Sequence, residues 1–291
     1  MYELIQVGAS TYYIDCPVRM GLIHVPEGAV MIDGGSDKDA GKKALRHVEA
    51  LRFPLMAILC THSHADHIGG CRLLAERTGA PVYLPDGEVA FGRTPELEGA
   101  MLYGAAAPAP LRNKFLLAPE FDARPLTNFV LPAGMEVRSL PGHSPDMTAY
   151  RSPDGVWFLG DAVFGDATLE KYHISYLYDV AKTLASFEEV MTLEGTRFVP
   201  AHSSEQMDIR PLTERNRTVL HEVLETIATL CTPGITFEEL LKGVFLRYGL
   251  TMDLSQYVLI GSTVKAVLTY LSDQGRVSIT AENSRIIWRA N

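Results

Sequence analysis

Four side chains of metal-ligand type crowd into six consecutive positions, directly after an apolar run of strand length. The segment Thr61-His-Ser-His-Ala-Asp-His-Ile-Gly-Gly70 follows the unbroken apolar stretch 55–60. Such a run suits a strand buried on both faces, so the histidines are predicted at the end of a central strand. His62 and His64 are two apart, and an extended segment projects them to the same side. Asp66 and His67 come where the chain turns into a helix, which aims them at a second position nearby. Gly69 and Gly70 let that helix start close to neighbouring backbone.

Imidazole nitrogen and carboxylate oxygen are donors that zinc, iron or manganese accept, and no thiolate ligand is evident. Three further candidates are each the first ligand-type residue after a short apolar strand. His143 follows Val137-Arg-Ser-Leu-Pro-Gly, Asp161 follows Val156-Trp-Phe-Leu-Gly, and His202 follows Phe198-Val-Pro-Ala. Strand ends gathered on one sheet edge would give such a site a rigid frame. His24, His47 and His221 stand alone and read as structural.

Around these points the chain alternates. Short strands are predicted at 4–7, 11–14, 21–25, 29–32, 55–60, 81–84, 135–140, 148–151, 156–159 and 197–199. Helices are predicted at 37–51, 68–78 and 182–193. This order implies an α/β layered protein. Residues 86–131 interrupt it with Pro95, Pro108, Pro110, Pro119 and Pro125. They read as a lid or binding loop, or equally as an oligomer contact or plain decoration.

From about residue 212 the pattern turns helical. Val219, Val223, Leu224, Ile227 and Leu230 mark one amphipathic helix, and Pro233-Gly234 breaks it. Thr236-Phe-Glu-Glu239 is a capping-box start for a second. A third spans 254–273 with Tyr257, Ile260, Val264, Val267, Leu268 and Leu271 inward. Strands 277–279 and 286–288 then form a hairpin around Asn283-Ser284. Three helices and a hairpin outline a winged-helix-like appendage.

Bulk properties narrow the partners. With 47% hydrophobic and 21% charged residues the chain is an ordinary globular one. A formal net charge of −9 does not attract polyphosphates, which argues against nucleic acid. No secretory leader or membrane-spanning run is visible, so membrane partners are not expected. The scattered Cys16, Cys60, Cys71 and Cys231 read as free thiols in a reducing cytoplasm.

His62-x-His64-x-Asp66-His67, Pro-Gly-His143, Gly-Asp161 and the later His202 resemble the five-part signature of the metallo-β-lactamase superfamily. Met31-Ile-Asp-Gly-Gly35 is similar to its early strand-turn element. The resemblance covers about residues 1–205 and implies a four-layer αββα sandwich with metals at one edge. A catalytic domain over 1–211 and the tail over 212–291 follow from it. It further implies one ion on His62, His64 and His143, a second on Asp66, His67 and His202, and Asp161 bridging both. His202-Ser203 departs from the His-Gly of many relatives, which touches the loop more than the ligation.

The implied cofactors are two divalent ions, zinc before iron or manganese, which share a water and lower its pKa toward neutrality. The expected reaction is hydrolysis of an ester-type bond by the bridging hydroxide, with Asp66 and Asp161 as catalytic residues. Segments 140–148 and 158–164 look most like the glyoxalase II branch, whose members cleave thioesters of hydroxy acids. A phosphodiesterase or ribonuclease, and a lactonase or β-lactamase, are the alternatives. Tyr172, His173 and Tyr176 are the candidate substrate residues, and Arg112, Lys114, Arg124 and Lys171 the basic ones available to a charged small molecule. The third tail helix carries only Lys265, so the tail reads as an interface or lid support, a homodimer being one use of it.

Overall fold

The computed structural model describes residues 2–291. The chain opens with four antiparallel strands, β1 (Glu3–Gln6), β2 (Thr11–Asp15), β3 (Met20–Val25) and β4 (Gly28–Ile32). Helix α1 (Lys38–Leu51) starts on Asp37, whose carboxylate accepts from the Asp39 and Ala40 amides. It returns the chain to β5 (Leu55–Leu59), parallel to β4. Two short helices, α2 (Ala65–Ile68) and α3 (Cys71–Thr78), lead to β6 (Val82–Leu84). Where a single helix over 68–78 was expected, the structure has this pair, starting earlier and broken at Gly69 and Gly70. A side chain at either glycine would run into the Ser36 or Gly34 carbonyl oxygen, so the break permits close backbone contact.

The segment 86–131 is less irregular than its prolines suggest. It contains α4 (Val89–Arg93), α5 (Glu96–Tyr103), three short 3₁₀ turns and a strand, β7 (Ala123–Pro125), that closes the seven-stranded sheet β1-β2-β3-β4-β5-β6-β7. Next come β8 (Glu136–Ser139), β9 (Thr148–Arg151) and β10 (Val156–Gly160). Then follow α6 (Asp166–Tyr172), which the sequence pattern did not announce, α7 (Val180–Thr192) and β11 (Arg197–Pro200). These strands form a second sheet in the order β11-β10-β9-β8.

The period-two pattern sorts side chains into layers. Val30, Ile32, Ala57 and Leu59 point between the sheets, against Tyr150, Val156, Phe158 and Val199. Their neighbours Ala29, Met31 and Ile58 face outward onto Ala44, Val48 and Leu74 of α1 and α3. On the other side Trp157 and Leu159 meet Phe187 and Val190 of α7. Helix, sheet, sheet, helix is the four-layer sandwich that the resemblance implied.

The last part comprises α8 (Arg210–Leu230), α9 (Phe237–Tyr248), α10 (Leu254–Asp273) and a hairpin of β12 (Val277–Glu282) and β13 (Arg285–Ala290). The division expected after residue 211 falls in the first turn of α8. The capping box is present: the Thr236 side chain takes the Glu239 amide and Glu239 takes the Thr236 amide. Asn283 and Ser284 both have left-handed φ, 49° and 60°, as a two-residue hairpin turn of the mirror-image type needs. One apolar cluster runs from Trp157 and Phe187 through Leu220 and Leu224 to Val264 and Leu268, so these helices share the core of the second sheet. No helix among the described residues is long and apolar enough to cross a membrane.

Candidate metal centre

All seven residues singled out in the sequence converge. His62, His64, Asp66 and His67 lie on the loop and short helix after β5. His143 lies between β8 and β9, Asp161 directly after β10, and His202 just after β11. Gly160, with φ +53°, lets the end of β10 approach β5; a Cβ there would lie 2.8 Å from the Thr61 side chain. Ligand-type atoms of His62, His64 and His143 form one group, and those of Asp66, His67 and His202 another.

In the first group, His62 Nε2 and His143 Nε2 lie 3.0 and 2.9 Å from His64 Nδ1. In the second, His202 Nε2 is 3.4 Å from Asp66 Oδ2. Asp161 sits between them, with His67 Nε2 3.2 Å from Oδ1 and both His143 Nε2 and His202 Nε2 near Oδ2, at 3.3 and 3.4 Å.

The remaining ring nitrogens are held from behind. His62 Nδ1 is 3.0 Å from Thr61 Oγ1, His67 Nδ1 is 2.9 Å from Asp33 Oδ2, and His143 Nδ1 is 3.0 Å from the Tyr176 carbonyl. Such partners fix ring orientation in metal sites. His67 Nε2 and Asp161 Oδ1 are buried, and apart from their mutual 3.2 Å contact neither has a hydrogen-bond partner. Three lone-pair nitrogens converging, beside a buried imidazole and carboxylate that have only each other, are what a cation would satisfy. The donor set fits divalent metal ions.

Electrostatics separates the two groups. Burial drives His64 down to about 4 and His143 to about 3, and holds His62 well below the usual histidine range. These rings are neutral and ready to ligate. Burial also opposes charge on His202, but Asp161 and Asp66 outweigh it and lift the ring to about 10. His67 is raised in the same way by Asp161, Asp33 and Asp66. Asp66 is held at about 2: burial opposes its charge, and His67 and His202 overcome the opposition.

The fold and this geometry agree with the family model described as the metallo-beta-lactamase superfamily, which matches residues 13–202. The chain belongs to that superfamily. Among relatives of this superfamily member, the hydroxyacylglutathione hydrolase of Dechloromonas aromatica is 29% identical over 194 residues, 66% of this chain and 62% of that one. This chain thus spans less than two thirds of that hydrolase's length. The probable metallo-hydrolase YflN of Bacillus subtilis is 28% identical over 64% of this chain and 76% of its own. A solved beta-lactamase domain protein from Burkholderia ambifaria shares the fold, with a TM-score of 0.74 at 18% identity over 99% of this chain and 94% of that one.

The ligand cluster of this superfamily member forms the floor of a cavity of about 640 Å³. Tyr172 and Tyr176, two of the three candidate substrate residues, line it. His173 does not; its ring lies against Tyr248 of α9, centroids 5.4 Å apart. Arg112 is exposed, Lys114 pairs with Asp37 at 2.9 Å, and Arg124 lies 3.6 Å from Asp122, so none of them lines the cavity. His24 stacks on Phe53 and His47 bonds the Tyr2 carbonyl, both away from the cluster.

Three acidic residues escaped the sequence reading. Asp33, at the end of β4, takes the Thr61 amide at 2.7 Å as well as His67; its place in Ile-Asp-Gly-Gly was the available signal. Glu88 is fully buried and accepts from the Ser63 amide at 2.6 Å, the Asp146 amide at 2.9 Å and the Ser144 hydroxyl. It ties the loop carrying His62 and His64 to the loop carrying His143. Glu98 of α5 is buried in the cavity wall. Both glutamates lie in the segment without pattern, and nothing in its sequence marked them.

Proposed function

We propose that the protein is a hydrolase holding two divalent ions, zinc first, that cleaves a carboxylic ester-type bond of a small molecule. One ion would take His62, His64 and His143, the other Asp66, His67 and His202, with Asp161 between. The ions, when bound, supply a water acidified to near neutrality and Lewis-acid polarisation of the carbonyl oxygen.

The chain's own residues do the rest. Asp66, held anionic, accepts a hydrogen bond from the water and aims it. Asp161 offsets part of the cationic charge and keeps the two ligand sets together. Thr61, Asp33 and the Tyr176 carbonyl fix three imidazoles from behind, so little reorganisation accompanies the reaction. The water oxygen adds to the carbonyl carbon, the bond to the leaving oxygen or sulfur breaks, and the water's proton passes to the leaving group. Apolar walls around Phe164 and Ile174 exclude competing solvent. No serine or cysteine nucleophile is required. Residues 212–291 act as a second unit that roofs this pocket.

The observation that carries the reading is the convergence of seven donor side chains into adjoining buried groups whose ligand atoms lie within 4.8 Å of one another. Elemental analysis of the purified protein tests it, followed by a panel of esters, thioesters, lactones, β-lactams and phosphodiesters. Two ions per chain and turnover of a carboxylic substrate are expected. A folded protein that takes up no metal would end the proposal.

A further inference from the structure

The cavity above the ligand cluster is walled on its far side by apolar side chains from two regions remote in sequence. Met101, Leu102 and Leu116 come from the segment between β6 and β7, and Leu259 and Ile260 from α10. Leu102, Leu111, Leu116 and Val258 pack into one small cluster with Tyr176 and Leu259, which fixes this wall to the tail. Phe115, 68% exposed, stands on the same wall at the solvent side.

Apart from the ligand histidines, the ionisable groups that line the cavity are acidic or phenolic. Besides the ligands Asp66 and Asp161, the cavity is lined by Glu98 and Asp253. No lysine or arginine among the described residues lines it. Lys114 is paired with Asp37 at 2.9 Å, and Lys171 rides over the Tyr172 ring at 4.6 Å, outside the lining. Bound cations would offset charge at the reacting centre only. A carboxylate or phosphate carried farther out would lie against apolar carbon and glutamate, with no cation to replace its water.

Resting on the hydrolase reading above, we infer that the substrate is an uncharged oxygen or thioester whose apolar acyl chain lies along the wall of Met101, Leu116 and Leu259. Glutathione thioesters, which bring two carboxylates and an ammonium, and phosphodiesters are rejected by the same wall. Glu98 supplies no positive charge in either protonation state, and burial, followed by Asp66 and Glu88, disfavours its anion.

The test compares N-acetylcysteamine thioesters of two-, four-, six- and eight-carbon acids, and the eight-carbon acid on glutathione, using the metal-loaded protein. The expected kcat/KM rises about threefold to fourfold per methylene while the chain is being buried. The glutathione thioester falls at least about tenfold below its N-acetylcysteamine counterpart, as one unreplaced charge-solvating contact predicts. Leu259→Arg, at a half-buried wall position, narrows that gap, and Glu98→Gln, close in shape and likewise uncharged, leaves it unchanged. Calorimetry gives a readout independent of turnover: octanamide binds the protein and S-methylglutathione, which has no free thiol to ligate a metal, does not.

A flat chain-length profile, or glutathione thioesters or bis(p-nitrophenyl) phosphate as the better substrates, would overturn this inference and leave the hydrolase reading standing. So would a Lys171→Ala change that selectively lowers glutathione-thioester turnover, because a cation would then be serving the pocket. Absence of turnover on every ester by metal-loaded protein would overturn both.

Discussion

The floor and the roof of the pocket are built by opposite rules. The floor is polar, set on strand ends, and braced by hydrogen bonds to three of its five imidazole rings. The roof is apolar, comes from helices of the 86–131 segment and the tail, and is held by packing around Leu102, Leu111 and Val258. Chemistry needs donor atoms fixed to within fractions of an ångström, which rigid strand ends and second hydrogen bonds supply. Selection needs shape and the absence of unpaired charge, which loosely patterned apolar segments supply equally well. The difference predicts that floor variants change metal content and kcat, and that roof variants change KM.

The sharpest break of that comparison is removal of a floor ligand. Asp161→Ala, or His62→Ala, is expected to lower kcat by about a thousandfold or more together with metal content, since Lewis-acid and water activation vanish together. Elemental analysis beside steady-state kinetics reads both. Unchanged turnover would detach the chemistry from this cluster.

Glu88 tests whether the brace beneath the floor counts as floor. Glu88→Ala unties the Ser63 and Asp146 amides and frees the two ligand loops to separate. Loss of an orienting partner of this kind costs about 10- to 100-fold in metal affinity, measured by competition with a chromophoric chelator. Glu88→Gln keeps an acceptor for one amide and should recover part of the loss. A variant that unfolds without binding metal any more weakly would make Glu88 a stability residue only.

The contrast also explains what was legible beforehand. Every residue of the floor cluster could be named from the sequence, because a ligand-type residue directly after an apolar strand has few structural reasons to be there. The antiparallel hairpin at Asn283-Ser284 and the Thr236 capping box were equally visible, since short-range backbone chemistry writes itself into two to four residues. The roof was not. Glu88 and Glu98 look like surface acids on weakly patterned helices, and only the tertiary fold buries them. His173, named with Tyr172 and Tyr176 as a candidate substrate residue, lies against Tyr248, at the end of α6 where its φ is positive, 52°. A one-residue change of backbone region redirects a side chain, and neighbours in sequence do not record it.

On the roof side, Leu111→Ala empties a fully buried position of the cluster that joins the two apolar walls. A cost of about 2–5 kcal/mol is expected for such a deletion. It should appear as a lowered Tm and a raised KM, with kcat nearly unchanged. A fall in kcat equal to the rise in KM would show that roof and floor are not separable.

The two ligand groups within the floor differ in their response to pH. His64 and His143, depressed to about 4 and 3, are neutral in the fold while the unfolded chain protonates near 6.5. They therefore cost the metal-free protein stability as pH falls below 6.5. His202, raised to about 10, contributes stability that is complete below 6.5 and is lost as pH climbs toward 10. Metal-free protein should thus be most stable near pH 6.5. Ligation requires a deprotonated His202, so the Tm gap between zinc-loaded and metal-free protein widens by a few degrees between pH 6.5 and 9. His202→Ala should reduce the widening, leaving the part that comes from His67, which is raised in the same way.

The smallest effect is expected farthest from both surfaces. Thr236 starts α9, where its hydroxyl accepts the Glu239 amide at 3.4 Å and the Glu239 carboxylate accepts the Thr236 amide at 3.2 Å. Thr236→Ala removes one cap, worth about 1 kcal/mol, or about 2–4 °C in Tm for a domain of 150–250 residues. Helix α9 buries Leu240, Leu241, Val244 and Phe245 in the core shared with α8 and α10, and no residue of it lines the cavity. If the tail serves the pocket only by holding α10 in place, kcat and KM both stay within error while Tm falls. A KM that rises with this substitution would mean that the roof is poised so near its folding limit that a remote cap governs how often it is closed.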